Sequence, residues 1–192
     1  MKPQRVAMAP PAAKGPVVER LDDGRRGFVI TESSNLDAES RRFFEQAVDS
    51  MGNGDYNRAI ELLDKVVEGS PGVTAPYINL AIACNKVDKS EAAEMYLKTA
   101  LELLPGHPVA SNEYGLMLRR KGRFDEAKKV YEQSLMLYPD YLPIRRNLGI
   151  LCDLYLNNPE CALSQYELYE DTAPGNEQIR LWVSELRLRL GR

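Results

Sequence analysis

Small residues and prolines recur along most of this chain at intervals of 34 residues. Each series runs through four positions, with one extra residue before the last position of two of them. The three series are Pro71, Pro105, Pro139 and Pro174; Ala59, Ala93, Ala127 and Ala162; and Ala47, Ala81, Gly115 and Gly149. An internal period of this length predicts an array of helical hairpins.

The apolar spacing inside one unit predicts two helices. Apolar residues at i, i+3, i+4 and i+7 predict a helix over Thr74–Asp88 and a second over Glu91–Leu103. Ala81 and Ala93 are placed where these helices would cross, because only small side chains let two helix backbones approach closely. Pro105 follows where the second helix must stop.

The repeated residues resemble the tetratricopeptide repeat family, and the resemblance covers about residues 37–175. The second unit matches that family's pattern with Tyr77, Leu80, Ala81, Cys84, Ala93, Leu97, Ala100 and Pro105. The third unit matches it with Tyr114, Gly115, Leu118, Phe124, Ala127, Tyr131, Ser134 and Pro139. The first unit departs from it at Gln46, and the fourth has one extra residue around Leu156–Pro159. The resemblance implies an all-α, right-handed α-solenoid of four hairpins, at about 40–73, 74–107, 108–141 and 142–175.

Two segments flank the predicted repeats of 36–175. Residues 1–35 are rich in proline and alanine near their start and are expected to form a flexible, largely unstructured arm. Within the arm, Phe28–Ile30 is apolar. It is either an incidental patch or strap, or an extended segment that docks in a groove. Residues 176–192 are expected to form a helix that caps the stack, with Trp182 as a packing residue.

The charge and motif content argue against several functions. The formal net charge is −3, and the body from residue 36 carries 19 basic and 24 acidic residues, which disfavours binding to nucleic acid. No apolar run approaches the roughly 18 residues that insertion into a membrane requires. His107 stands alone, and no phosphate-binding glycine motif or nucleophile elbow is present. We therefore expect no enzymatic activity, metal or cofactor.

The resemblance implies a concave groove lined by the first helix of each repeat. The residues at its groove-facing positions are Ile78, Asn79, Ile82, Asn85, Lys86, Asn112, Leu116, Arg119, Arg120, Arg146, Asn147 and Ile150. Apolar pockets would take side chains of a peptide, asparagine amides would bond its backbone, and arginines would bind a carboxylate. Alternatively, the arginines form a solvated rim paired with neighbouring acids. The family's chaperone-binding carboxylate clamp is broken here, because its positions hold Ile78, Ile82, Glu113 and Pro143.

Two questions stay open at this point. Cys152 and Cys161 flank a predicted turn, where they either form a disulfide or simply pack. The leading hypothesis is a protein-interaction scaffold that binds a peptide or partner protein in the groove. The alternative is self-association, with the Phe28–Ile30 segment docked in the groove of its own or a neighbouring molecule.

A proline- and alanine-rich tether before a short repeat stack is similar in architecture to bacterial envelope proteins. A periplasmic or lipid-tethered location is therefore favoured over the cytoplasm, although residues 1–35 show no apolar core of a signal peptide.

Overall fold

The computed structural model describes residues 16–20, 28–31 and 36–192, and the chain divides into two compact units, Met1–Ser33 and Ser34–Arg192. Within 36–192 the chain folds into nine helices. They are α1 (Ala38–Gly52), α2 (Tyr56–Gly69), α3 (Thr74–Lys86), α4 (Ser90–Leu103), α5 (Pro108–Arg120), α6 (Phe124–Leu137), α7 (Leu142–Leu154), α8 (Pro159–Thr172) and α9 (Glu177–Arg189). Helices α1–α8 form four hairpins, and α9 follows them.

The turn inside each hairpin contains one residue in the left-handed backbone region. The first three turns are three residues long and place Gly54, Asp88 and Gly122 at φ values of 80°, 58° and 74°. The fourth turn, Tyr155–Asn158, is one residue longer, as the sequence predicts, and places Asn157 at φ 46°. Glycine, asparagine and aspartate tolerate this region best, so the turn residues recur with the same period as the core.

The small-residue series is explained by close packing within the hairpins. A Cβ atom on Gly115 would lie 2.2 Å from Cε1 of Tyr131, and one on Gly149 would lie 2.3 Å from Cε1 of Tyr166. Tyrosine on the second helix thus occupies the space that glycine leaves on the first. The residues of the alanine series are fully buried: Ala59, Ala93, Ala127 and Ala162.

The turns between hairpins are equally regular. Each proline of the series lies two residues beyond the last residue of a second helix, where it cannot continue the helix. His107 caps the start of α5, because its Nδ1 accepts the backbone N–H of Ala110 at 3.3 Å. The side chain is 3% exposed, and burial lowers its pKa to about 4. The turn histidine is therefore a neutral, buried cap.

The hairpins stack so that contacts run mainly between neighbouring helices of the chain. In addition, α3 contacts α1 and α5, and α5 contacts α7, so the first helices of the four hairpins form one continuous row. Helix α9 packs on α8 through buried Ile179, Val183 and Leu186. The rings of Trp182 and Tyr166 lie 5.1 Å apart, which is the packing role expected for the tryptophan.

The unit Met1–Ser33 contains a short β-hairpin that the sequence reading did not predict. Strand β1 (Val17–Arg20) pairs antiparallel with strand β2 (Phe28–Thr31), with Val18 opposite Ile30. The extended segment around Phe28 therefore has a partner strand within the same unit. The predicted flexibility of residues 1–15, 21–27 and 32–35 lies outside the described residues.

Candidate peptide-binding groove

A depression of about 430 Å³ lies between α3 and α5. It is lined by Ile82, Asn85, Lys86, Glu113, Leu116, Arg119 and Arg120. Six of these seven residues belong to the predicted set of twelve, so the fold brings half of that set together in one place. The seventh, Glu113, is also at a groove-facing position of the predicted third repeat. The walls combine two apolar side chains, an amide, three cations and one carboxylate. We call this depression the α3–α5 pocket.

Three of the other predicted residues, Ile78, Asn112 and Asn147, are less available to a ligand. Ile78 is only 5% exposed and belongs to the core. Asn147 Nδ2 donates to Asn112 Oδ1 at 2.7 Å, and Asn112 Nδ2 donates to Glu113 Oε1 at 3.2 Å. This chain of hydrogen bonds crosses from α7 to α5 and engages amides that were expected to bond a peptide backbone.

Further along the row, Asn79 and Ile150 remain partly exposed and Arg146 is exposed. The guanidinium carbon of Arg146 lies 6.0 Å from the centre of the Trp182 ring on α9. Arg145 donates to the backbone oxygen of Pro139 at 2.6 Å and to Oε1 of Gln165 at 3.2 Å. The two arginines at the start of α7 thus have different contacts. Arg145 donates hydrogen bonds to Pro139 and Gln165, whereas Arg146 lies over the Trp182 ring of α9.

Outside the pocket, a group of cations is neutralised by Glu94 on α4. Its carboxylate contacts Lys121 Nζ at 2.6 Å, Arg123 Nη1 at 2.7 Å and Lys98 Nζ at 3.0 Å. Hydrogen bonds from Lys121 and then Arg123 lower the pKa of Glu94 to about 2. These interactions join α4 to the turn of the next hairpin. They pair the positive charges of Lys121 and Arg123 in that turn with a carboxylate.

The cations of the α3–α5 pocket are not neutralised in this way. Within the part of the chain that the structure describes, Lys86, Arg119 and Arg120 have no carboxylate within 4.0 Å. The guanidinium carbon of Arg119 lies 5.7 Å from the centre of the Tyr155 ring, and its Nη1 is buried without a hydrogen-bond partner among those residues. The alternative of a rim paired with acids therefore does not describe this pocket.

Among the described residues, Glu113 supplies the one carboxylate that lines the pocket. Burial raises its pKa above the usual range, while the hydrogen bond from Asn112 and the charges of Arg120 and Lys86 oppose that shift. The adjoining depression holds one further acid, Asp88, beside Arg120 and Lys121. Cationic groups thus outnumber acidic ones in the pocket, although the predicted body as a whole has more acidic than basic residues.

Helix α9 also carries two exposed apolar side chains, which the sequence did not single out. Leu181 and Leu188 lie 35 residues after Arg146 and Asp153, and they are 67% and 80% exposed. Helix α9 meets α7 through Arg146 and Trp182 and through an ion pair of Arg189 with Asp153. The 35-residue spacing is visible in the sequence, but the prediction of a capping helix concerns only the buried face of α9.

The two cysteines of the fourth hairpin form a disulfide in this structure. Cys152 on α7 and Cys161 on α8 have Cα atoms 5.9 Å apart, within the range of a bridge. Asn158 caps α8, and its Oδ1 accepts the backbone N–H of Cys161 at 3.0 Å. Cys84 is a buried free thiol, and burial raises its pKa.

The described residues contain no group of three or more His, Cys, Asp or Glu side chains placed to hold a metal ion. Among them, no helix combines the length and apolarity needed to cross a bilayer.

Comparison with known proteins identifies the repeat. Residues 76–141 match the family model described as YpiA-like, C-terminal tetratricopeptide repeats. Residues 76–141 therefore carry tetratricopeptide repeats, and the remaining hairpins repeat the same architecture. It is 25% identical over 142 residues to the anaphase-promoting complex subunit CDC16 of Saccharomyces cerevisiae, covering 71% of this chain and 17% of that protein. It is 31% identical over 97 residues to the STIP1 homolog of Dictyostelium discoideum, covering 50% of this chain and 17% of that protein. The chain therefore spans about a sixth of the length of these relatives.

Solved tetratricopeptide repeat structures share the fold. The "MamA 41-end" structure from Desulfovibrio magneticus RS-1 has a TM-score of 0.69 at 17% identity and covers 81% of this chain and 88% of that chain. The Pseudomonas aeruginosa pilF structure has a TM-score of 0.70 at 19% identity, over 80% and 69% of the two chains. A thermophilic repeat protein of Thermus thermophilus has a TM-score of 0.65 at 23% identity, over 79% and 82%. The fold of the unit Ser34–Arg192 is an all-α, right-handed solenoid of the kind that generally serves protein interaction without catalysis.

Proposed function

We propose that this chain is a non-catalytic scaffold that holds a peptide segment of a partner protein along the row formed by α1, α3, α5 and α7. The observation that carries the proposal is the α3–α5 pocket, where Ile82 and Leu116 form an apolar surface between two adjacent first helices. A pocket of about 430 Å³ is in the size range of small-ligand sites and can admit one or two side chains of a peptide.

The neighbouring surface supports an extended ligand. Ile150 repeats the position of Ile82 and Leu116 on α7, and each of the three side chains is partly exposed. Side chains repeated along a row of parallel helices offer successive pockets to one bound segment, as in helix-in-groove and extended-peptide recognition. Short-peptide affinities at such a site are on the order of micromolar, or about −8 kcal/mol.

The test is a crosslinking pull-down from the native cell with a groove variant, Leu116→Glu with Arg146→Glu. We expect the variant to lose the partner, because it places two carboxylates on the row and removes one cation. A matched control, Met136→Glu with Lys129→Glu, makes the same chemical changes on the exposed surface of α6 and should retain the partner. Both variants should keep the helical circular dichroism of the parent chain. Retention of every partner by the folded groove variant would count against the groove.

The fourth hairpin supports a proposal for the location of this scaffold. Disulfides persist in secreted and periplasmic proteins and are rare in the reducing cytosol. The pairing of Cys152 with Cys161 therefore supports a proposed periplasmic or otherwise oxidising envelope location.

Self-association through the N-terminal unit is the second candidate. The observation that favours it is the exposure of apolar strand residues, with Val29 44% and Val17 56% exposed. A two-stranded hairpin has two unpaired edges and is marginally stable by itself, so such a ribbon can pair with another molecule.

A further inference from the structure

We propose that the α3–α5 pocket selects an acidic internal segment of its partner. An Asp or Glu side chain of the partner would lie among Lys86, Arg119 and Arg120, and an adjacent apolar side chain would lie on Ile82 and Leu116. The inference rests on the proposed function and specifies the chemistry of the ligand.

The first argument is charge. Three cations line the pocket, and none has a carboxylate within 4.0 Å among the described residues. By contrast, Lys121, which follows Arg120 directly, is neutralised by Glu94 at 2.6 Å. A partner carboxylate would supply the direct ion pair that Glu94 gives to Lys121 and that no described residue gives to the three pocket cations. Charge-assisted hydrogen bonds of guanidinium with carboxylate are among the stronger polar contacts.

The second argument is the arrangement of polar and apolar walls. Ile82 and Asn85, and likewise Leu116 and Arg119, are three residues apart on their helices, so each helix presents an apolar and a polar side chain on one face. A ligand must match both groups at once. This favours a segment in which an acidic residue and an apolar residue are close in sequence.

The third argument concerns which kind of carboxylate binds. Helix α1 lies beside α3, and α7 lies beside α5, so the row of first helices continues on both sides of the pocket. A chain that crosses the pocket can therefore extend in both directions. This geometry favours an acidic side chain within a segment over the terminal carboxylate of a chain.

The three pocket cations also differ in position from the family's chaperone-binding clamp. In this chain the clamp positions hold Ile78, Ile82, Glu113 and Pro143. Lys86, Arg119 and Arg120 lie in the last turns of α3 and α5 instead.

Glu113 sets the strength of this selection. It lines the pocket together with Lys86 and Arg120, and no other acidic side chain in the described part of the chain does so. A bound carboxylate would be repelled by Glu113 while it is attracted by the cations. Replacing Glu113 with Gln keeps an acceptor for the Asn112 amide, removes the repulsion and should tighten binding of acidic segments.

The experiment is selection of random peptides by the full chain. One library displays peptides internally, with both ends joined to a carrier, and a second displays them at a free C-terminus. We expect the internal library to yield peptides with Asp or Glu next to an aliphatic or aromatic residue. The best peptide is then measured by fluorescence anisotropy. Lys86→Gln with Arg120→Gln should weaken it about tenfold, and Glu113→Gln should tighten it about threefold. The control Lys129→Gln, an exposed cation on α6, should leave the affinity unchanged.

The outcomes separate the inference from the proposed function. Two results would overturn the acidic selection and leave the groove in place. One is enrichment of peptides without acidic residues. The other is enrichment of acidic peptides whose binding is unchanged in the pocket variants but is lost in the Leu116→Glu variant. Enrichment only in the free C-terminal library would overturn the internal segment. Enrichment of no peptide from either library would count against both the pocket and the groove.

Discussion

His107 is the only histidine of the chain, and it closes the first turn of α5 from a buried position. Its sequence context, between two prolines in a turn, indicated no metal or catalytic role but gave no sign of capping. The capping role depends on a hydrogen bond to Ala110, three residues on, and on burial by neighbouring elements. Single-sequence reasoning finds such a cap more readily for Ser, Thr, Asp or Asn, because these residues are the usual ones at this position.

This histidine should make the folded state sensitive to mild acid. In the unfolded chain it takes up a proton near its ordinary pKa of 6.5, whereas in the fold its pKa is about 4. The unfolded state therefore binds more protons between these values, so stability falls as the pH drops from 6.5 to 4, by up to about 3 kcal/mol. Urea unfolding at a series of pH values measures this loss.

The matched variant is His107→Asn, which keeps an oxygen acceptor for the cap and does not titrate. It should make the free energy of unfolding depend much less on pH between 6.5 and 4.5. Below that range Glu94, whose pKa in the fold is about 2, begins to contribute to the pH dependence. Glu113 acts in the opposite direction because its pKa is raised, so the comparison is sharpest in a Glu113→Gln background. Parallel loss of stability in chain and variant would rule out His107 as the source.

At the scale of elements, the helices and their turns could be read from the sequence almost completely. The reason is redundancy: each hairpin repeats the same constraints, such as a small residue opposite Tyr131 or Tyr166 and a left-handed residue in the turn. The β-hairpin of the N-terminal unit was missed because it occurs once and its strands are only four residues long. A short apolar run by itself does not reveal its pairing partner.

The fourth turn offers a test of the bridge between α7 and α8. Alkylation of the denatured, unreduced chain should modify one thiol, that of Cys84, and alkylation after reduction should modify all three cysteines. Reduction should lower stability by about 2–3 kcal/mol, as expected for a bridge that closes a short loop. Cys161→Ser should match the reduced chain in thermal unfolding. Three modified thiols before reduction would show that the cysteines only pack.

At the scale of the whole molecule, sequence reasoning predicted six of the residues that line the α3–α5 pocket but not the state of their charges. The positions of these residues are predicted by the repeat register, because the register determines which face of each first helix is turned toward the groove. Whether a charge on that face is free depends on side chains from other hairpins, as the contrast between Lys121 and Lys86 shows. The hydrogen bond between Asn147 and Asn112 likewise joins residues 35 positions apart and could not be read from either repeat alone.

Deletion of residues 1–34 tests whether the N-terminal unit drives assembly. If its exposed strand residues join molecules, light scattering should show a lower mass for the truncated chain than for the full chain at the same concentration. The α-helical unit should keep its thermal transition, because its core lies within Ser34–Arg192. Equal masses for the two chains would exclude assembly through this segment, and the groove would then be the remaining candidate interface.

The disulfide joins α7 to α8 within one hairpin and does not link one hairpin to another. The α3–α5 pocket lies in hairpins that contain no part of this crosslink. In a solenoid whose contacts run between neighbours, a local disturbance is transmitted only through adjoining interfaces. Reduction of the Cys152–Cys161 bridge should therefore loosen the fourth hairpin first. It should reach the α3–α5 pocket only through the adjoining α5–α7 interface, where Arg119 lies against Tyr155.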